Sequence, residues 1–110
     1  MERSPRAAVD EVLARTEPVI DRLKQGGGEA DLRELRQALC QLPGDIERDP
    51  DINGAAQDLC DAAEALVADH SAGAHPSRAR QEGHLRLFCE MHLRFHTRLM
   101  EIAASKSAAP

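Results

Sequence analysis

The chain predicts an all-α fold, an up-and-down four-helix bundle, and three observations carry that expectation. Eighteen Ala and twelve Leu dominate the apolar set, while Val, Ile and Thr together number ten and the only aromatics are Phe88 and Phe95. The residues that strands favour are scarce. Four stretches repeat their apolar residues at helical spacing, and each is separated from the next by a short segment bearing Gly or Pro, which places sequential neighbours antiparallel. With 42% hydrophobic and 30% charged residues over 110 positions, the composition is that of one folded domain rather than a disordered segment.

The first helix starts at Ser4-Pro5, an N-cap hydroxyl followed by a proline suited to the first helical position. Val9, Val12, Leu13, Thr16, Ile20 and Leu23 then share one stripe as far as Lys24. Pro18 lies inside it and removes a backbone donor, so a kink or break is expected there. The run Gly26-Gly27-Gly28 ends the element. Asp31 with Glu34 three residues later reads as a capping box for a second helix through Leu32, Leu35, Leu39 and Leu42, stopped by Pro43-Gly44.

Residues 45 to 53 are polar, carry Pro50 and read as a connection with at most one helical turn. A third helix is expected from about Asp51 to His70, with Ile52, Ala56, Leu59, Ala63, Leu66 and Val67 in a narrow stripe, and Gly73 suits a left-handed cap beyond it. The fourth runs from about Pro76-Ser77 to Ala104, weakened in its first turns by Gly83. It is the longest, about 42 Å at 1.5 Å per residue. The single domain is thus residues 1 to 104, with 105 to 110 a frayed, disordered tail.

The net charge of -5 conceals an asymmetry. Residues 1 to 75 carry 8 basic and 16 acidic side chains, whereas residues 76 to 110 carry 6 and 3, together with three of the five histidines. A basic helix docked on an acidic body accounts for this split, and nucleic-acid binding is not expected because the body would repel a polyanion. No apolar run reaches the roughly 18 residues of a membrane span, and no signal-peptide pattern opens the chain. Cys40, Cys60 and Cys89 are odd in number without a C-x-x-C pair, so free thiols and a cytoplasmic setting are expected.

The last helix carries the exceptional pattern. With His84 at 0°, Phe95, Phe88, Leu99, His92 and Leu85 fall between about 20° and 100°, and His96, Cys89, Met100 and Leu93 between about 120° and 180°. This uncharged arc is about twice what one core requires. A homodimeric partner, or another helical protein, is expected to cover the side formed by Cys89, Leu93, His96 and Met100. Within it Cys89, His92, His96 and Met100 stack at intervals of three, four and four, which suits imidazole and thiolate ligation of Zn or Cu, with Met100 as a further donor to a soft ion. A haem reading uses His92 as axial ligand walled by Phe88, Phe95 and Leu99. The simpler alternative leaves these histidines structural, with no cofactor.

Enzymatic signatures are missing. There is no E-x-x-H or H-E-x-x-H, and Cys89, one turn from His92, lacks an acidic orienting group on its own helical face. Histidine phosphotransfer domains are also bundles of about this size, but their exposed His is followed by a basic residue and then a glycine. Here His92 and His96 are followed by no such glycine. The sequence therefore points to a small non-enzymatic interaction or regulatory module.

Overall fold

The computed structural model describes residues 4–70 and 77–107, and their side chains apart from those of Asp45 and residues 105–107. Five helices follow in order: α1 Pro5–Lys24, α2 Glu29–Cys40, the single turn α3 Gly44–Glu47, α4 Pro50–Asp69 and α5 Arg78–Ser107. Four of them form an all-α bundle, with no strand among the described residues. The long helices close a ring in which α1 packs on α2, α2 on α4, α4 on α5 and α5 on α1. Cross-helix pairs give the directions: Arg22 meets Asp31 while Arg15 meets Gln41, and Asp69 meets His84 while Asp49 meets Arg98. Adjacent helices are therefore antiparallel.

Each helix end has a local cause. Ser4 Oγ accepts from the Ala7 N–H at 3.1 Å, with Pro5 at the first helical position. At the other end of α1, Gly26 takes φ +95°, and the N–H groups of Gly26 and Gly27 donate back to the carbonyls of Leu23 and Arg22. That is a Schellman cap, which requires the left-handed conformation only glycine adopts without strain. Helix α1 runs without a break through Pro18. Ala14, whose carbonyl loses its donor there, is exposed so that water can satisfy it, while buried Val19, Ile20 and Leu23 hold the last turns in place.

Two caps differ from the expected ones. Asp31 does not cap α2; the helix begins at Glu29 on a Gly28 cap without a side-chain bond, and Asp31 instead accepts from Arg22 Nε at 2.8 Å. The ion pair to the neighbouring helix has claimed the carboxylate that a capping box needs. Helix α4 begins at Pro50, with Asp49 Oδ1 accepting from the Ile52 N–H at 3.0 Å. The expected helical turn in the connection is α3, which drives Ile46 into the core. Helix α5 starts one residue after Ser77, whose Oγ accepts from the Arg80 N–H, and continues past Ala104 to Ser107. Of the expected tail, residues 105–107 are thus helical, and 108–110 lie outside the described residues, as do Gly73 and Pro76.

The core is one cluster in which Phe88, Phe95 and Leu99 of α5 meet Val9, Ile20 and Leu23 of α1 and Ile52, Leu59 and Leu66 of α4. Fully burying a Phe or Leu is worth about 1.5–3 kcal/mol, so this apolar contact outweighs the surface ion pairs. Thr16 is buried but donates to the Val12 carbonyl at 2.9 Å. No described buried side-chain N or O lacks a partner.

Charge complementarity runs along the α4–α5 seam. Arg94 pairs with Asp58 at 3.3 Å, Arg98 makes a two-nitrogen contact with Asp49, and His84 Nδ1 donates to Asp69 at 2.6 Å with Arg80 at 3.7 Å. Asp69 is buried at the C-terminal end of α4, where a negative charge opposes the helix dipole. Its two basic partners compensate and tie the start of α5 to the end of α4.

The Arg98 guanidinium holds the Asp49 carboxyl below its ordinary value, aided by the Ile52 N–H and opposed by partial desolvation. A carboxyl depressed on folding adds stability that is present above its unfolded pKa, about 3.9, and lost as pH falls through the lower folded value. Asp49→Ala should cost about 1–2 kcal/mol at pH 7 through loss of the cap. The gap between wild type and variant in urea melts should narrow as pH falls below about 4.

Candidate functional site

The concentration of histidines on α5 resolves into two unlike sites. His84 belongs to the Asp69 tie just described. His92 and His96 lie one turn apart on the side of α5 that faces α1, beside an open groove of 410 Å³ lined by Glu17, Lys24, Cys89, His92, Leu93 and His96. Packing of α5 on both α1 and α4 creates this placement. The row Phe88, Phe95, Leu99 goes to the centre, and the residues about 60° further round fall against α1.

His92 is the hub. Its side chain is 15% exposed, and its Nε2 lies 3.0 and 3.1 Å from the two carboxylate oxygens of Glu17. Its Nδ1 lies 2.9 Å from Lys24 Nζ. An ammonium can only donate and a carboxylate can only accept, so the two contacts define one tautomer: Nδ1 accepts from Lys24 and the Nε2–H donates to Glu17. Glu17 Oε1 also lies 3.4 Å from His96 Nδ1, and the two imidazoles meet edge to face with centroids 6.4 Å apart. One carboxylate thus serves two rings.

Glu17 and Lys24 are the site residues that reading the sequence missed. A signal for them exists. On α1, with Thr16 at 0°, Lys24 falls at about 80° and Glu17 at about 100°, just beyond Leu13 at about 60° on the edge of the apolar stripe. An acid and a base two turns apart on that edge can reach a neighbouring helix, but only the packing identifies which neighbour.

The expected ligand row is divided between surroundings. His92 and His96 share Glu17; Cys89 lines the same groove; Met100 packs against the core. Among the described residues, no three of His, Cys, Asp and Glu already surround a common centre that could hold a metal ion. Phe88, Phe95 and Leu99, the expected walls of a haem, sit inside the core at 0–1% exposure and do not line the groove.

The wide apolar arc is largely covered within the chain. Helix α1 shields Cys89, His92 and His96 in part, and Met100 packs against the core, so the surplus reduces chiefly to Leu93, with Leu85 and Leu87 nearer the start of the helix. Leu93 is 65% exposed. It stands on a ridge between the α1–α5 groove and a second, 760 Å³ groove between α4 and α5, whose lining includes Gly54, Ala55, Asp58, Arg94 and Thr97.

The remaining thiols lie elsewhere. Cys40 and Cys60 border one cavity between α2 and α4, and burial pushes the Cys60 thiol up from its ordinary value, with Arg36 opposing. A raised thiol makes Cys60 a poor nucleophile at neutral pH.

Comparison with known proteins adds no relative: the chain has no significant match to any protein-family model, curated protein or solved structure.

The hydrogen-bond pattern at His92 is directly observable. Long-range ¹H–¹⁵N spectra at neutral pH should show its proton on Nε2. Glu17→Ala, which removes the acceptor, should lower stability by about 1 kcal/mol in urea melts, the scale of one partly exposed hydrogen bond.

Proposed function

We propose that this protein is a small non-enzymatic interaction module that acts as a homodimer through α5. The observation that carries the reading is Leu93, 65% exposed midway along the longest helix, on a ridge flanked by two open grooves. A ridge beside a groove is self-complementary. About a two-fold axis close to Leu93, each copy's leucine enters the α4–α5 groove of the other, where Gly54 and Ala55 leave room for it.

Charge is compatible with the same arrangement. The groove is bordered by Asp51, Asp58 and Glu101 together with Arg94 and Arg98, which pair within the chain, so it presents mixed charge rather than one sign to a second copy. Of the expected interface residues, Leu93 would be central, with Cys89 and His96 at the rim; Met100 already packs against the core. A reducing compartment suits the reading, because Cys40, Cys60 and Cys89 are free thiols.

Magnitudes place the dimer in a weak class. Two buried leucines contribute about 3–6 kcal/mol, and association costs at least about 4 kcal/mol in lost rigid-body freedom. The two leucines leave at most about 2 kcal/mol of net gain, so neighbouring contacts must supply at least about 6 kcal/mol more for a dissociation constant of micromolar order. The module would then assemble in response to its own concentration.

Light scattering across about 1 to 100 μM should show a monomer–dimer transition in this range. Leu93→Glu should weaken it by at least about tenfold without shifting the thermal melt, because an exposed site contributes little to the monomer. A wild-type chain that stays monomeric throughout overturns the reading.

A further inference from the structure

The seam between α2 and α4 sets two thiols opposite one another. These helices pack antiparallel, and the ion pair between Arg36 and Glu64 marks their register. One turn onward along α2 stands Cys40, and one turn back along α4 stands Cys60. Residues four apart share a helix face, so the thiols lie on the same side of the seam as the ion pair. Both cysteines line a cavity of 290 Å³ together with Arg36, Ala56 and Glu64. Negative charge on Cys40 also acts on the Cys60 thiol, as two groups in electrostatic reach of one another require.

The two thiols differ in the ways that disulfide exchange uses. Cys40 is exposed and is the last residue of α2, so a reagent in solvent reaches it. A bridge needs its Cα atoms about 4.4–6.8 Å apart, and a residue at a helix end can close on its neighbour by moving its own last turn. Cys60 is half-buried in the interior of α4. The charged groups around it are Arg36 and Cys40 across the seam and Asp61 and Glu64 on α4. Burial pushes its thiol up, Arg36 opposes this, and Cys40 and Asp61 add to it.

We propose that Cys40 and Cys60 form a dithiol site that reacts with low-molecular-weight disulfides and closes to a bridge joining α2 to α4 within one chain. Cys40, deprotonated by solvent, attacks one sulfur of the incoming disulfide. The small S–S bond breaks, an S–S bond to Cys40 forms, and a thiolate leaves and takes up a proton. Cys60 then gives its proton to solvent and attacks Cys40 Sγ, expelling the second small thiol. Two protein thiols are oxidised, and one small disulfide is reduced to two thiols. Access governs the first step. Deprotonation of Cys60 governs the second, which the register of the helices makes intramolecular.

The test treats the full-length chain, dilute and reduced beforehand, with oxidised glutathione, alkylates the remaining thiols and maps peptides without reduction. The proposal expects a bridge between Cys40 and Cys60 of the same chain, with Cys89 alkylated, and the return of all three thiols after dithiothreitol. Cys60→Ser should stop at a glutathione adduct on Cys40, and Cys40→Ser should slow the reaction by at least about tenfold. Closure of the wild-type adduct should speed up by about tenfold between pH 7 and 8, because the attacking Cys60 is mostly protonated there. No reaction at millimolar oxidised glutathione, or a wild-type adduct on Cys40 that never closes, overturns the proposal. So does a bridge that uses Cys89 or joins two chains, a Cys40→Ser chain that reacts as fast as wild type, or a closure rate that ignores pH.

Discussion

The insertion of α5 between α1 and α4 is the contact on which the remaining geometry rests. Phe88 and Phe95, seven residues apart on one face, enter the core together with Leu99, in one cluster with aliphatic side chains of both neighbouring helices. With that row at the centre, the two flanks of α5 are assigned. One flank turns to α1 and brings His92 and His96 to Glu17; the other turns to α4 and brings Arg94 and Arg98 to Asp58 and Asp49. Rotating the helix by one residue, about 100°, would remove the aromatics from the core and dissolve both sets of polar contacts at once.

Electrostatics refine an arrangement that apolar burial selects. The acidic body and the basic last helix meet through pairs that are mostly half exposed, and such pairs add little net stability. Their effect is on register. Asp49, Asp58 and Asp69 are spaced along α4 so that Arg98, Arg94 and His84 meet them in reverse order, as antiparallel packing requires. A shifted register would leave the buried Asp69 carboxylate without a cation, and an unpaired buried charge is costly. The groove at His92 shows the same economy: a cation, an imidazole and a carboxylate hold one another in a line, with one face left open to the groove.

Much of the fold was legible because helices are written locally. Ser4-Pro5, the glycine run and Asp49-Pro50 act through neighbouring backbone groups, and the i, i+3, i+4 stripes mark the faces that become buried. Departures from expectation occur where a side chain had two uses. Asp31 could cap its own helix or pair with Arg22, and the second partner lies on another helix. Pro18 could break α1, yet the buried residues beyond it keep the helix continuous. The uncharged arc on α5 is covered in part by two neighbours inside the chain, which leave Leu93, with Leu85 and Leu87, exposed.

By itself the sequence determined that this chain is helical, where its turns fall, and that both aromatics and three of the five histidines gather on the last helix. Those properties depend on composition and on periods of a few residues, which the backbone reads without reference to distant segments. The tertiary structure alone decided that His92 faces Glu17 and Lys24, that Cys89 and Met100 have separate surroundings, and which leucines remain outside. Those outcomes depend on the rotation of one helix against two others. Burial of Phe88 and Phe95 selects that rotation through contacts 60 to 80 residues apart in the chain, as in the 68 and 75 residue separations of Lys24 and Glu17 from His92.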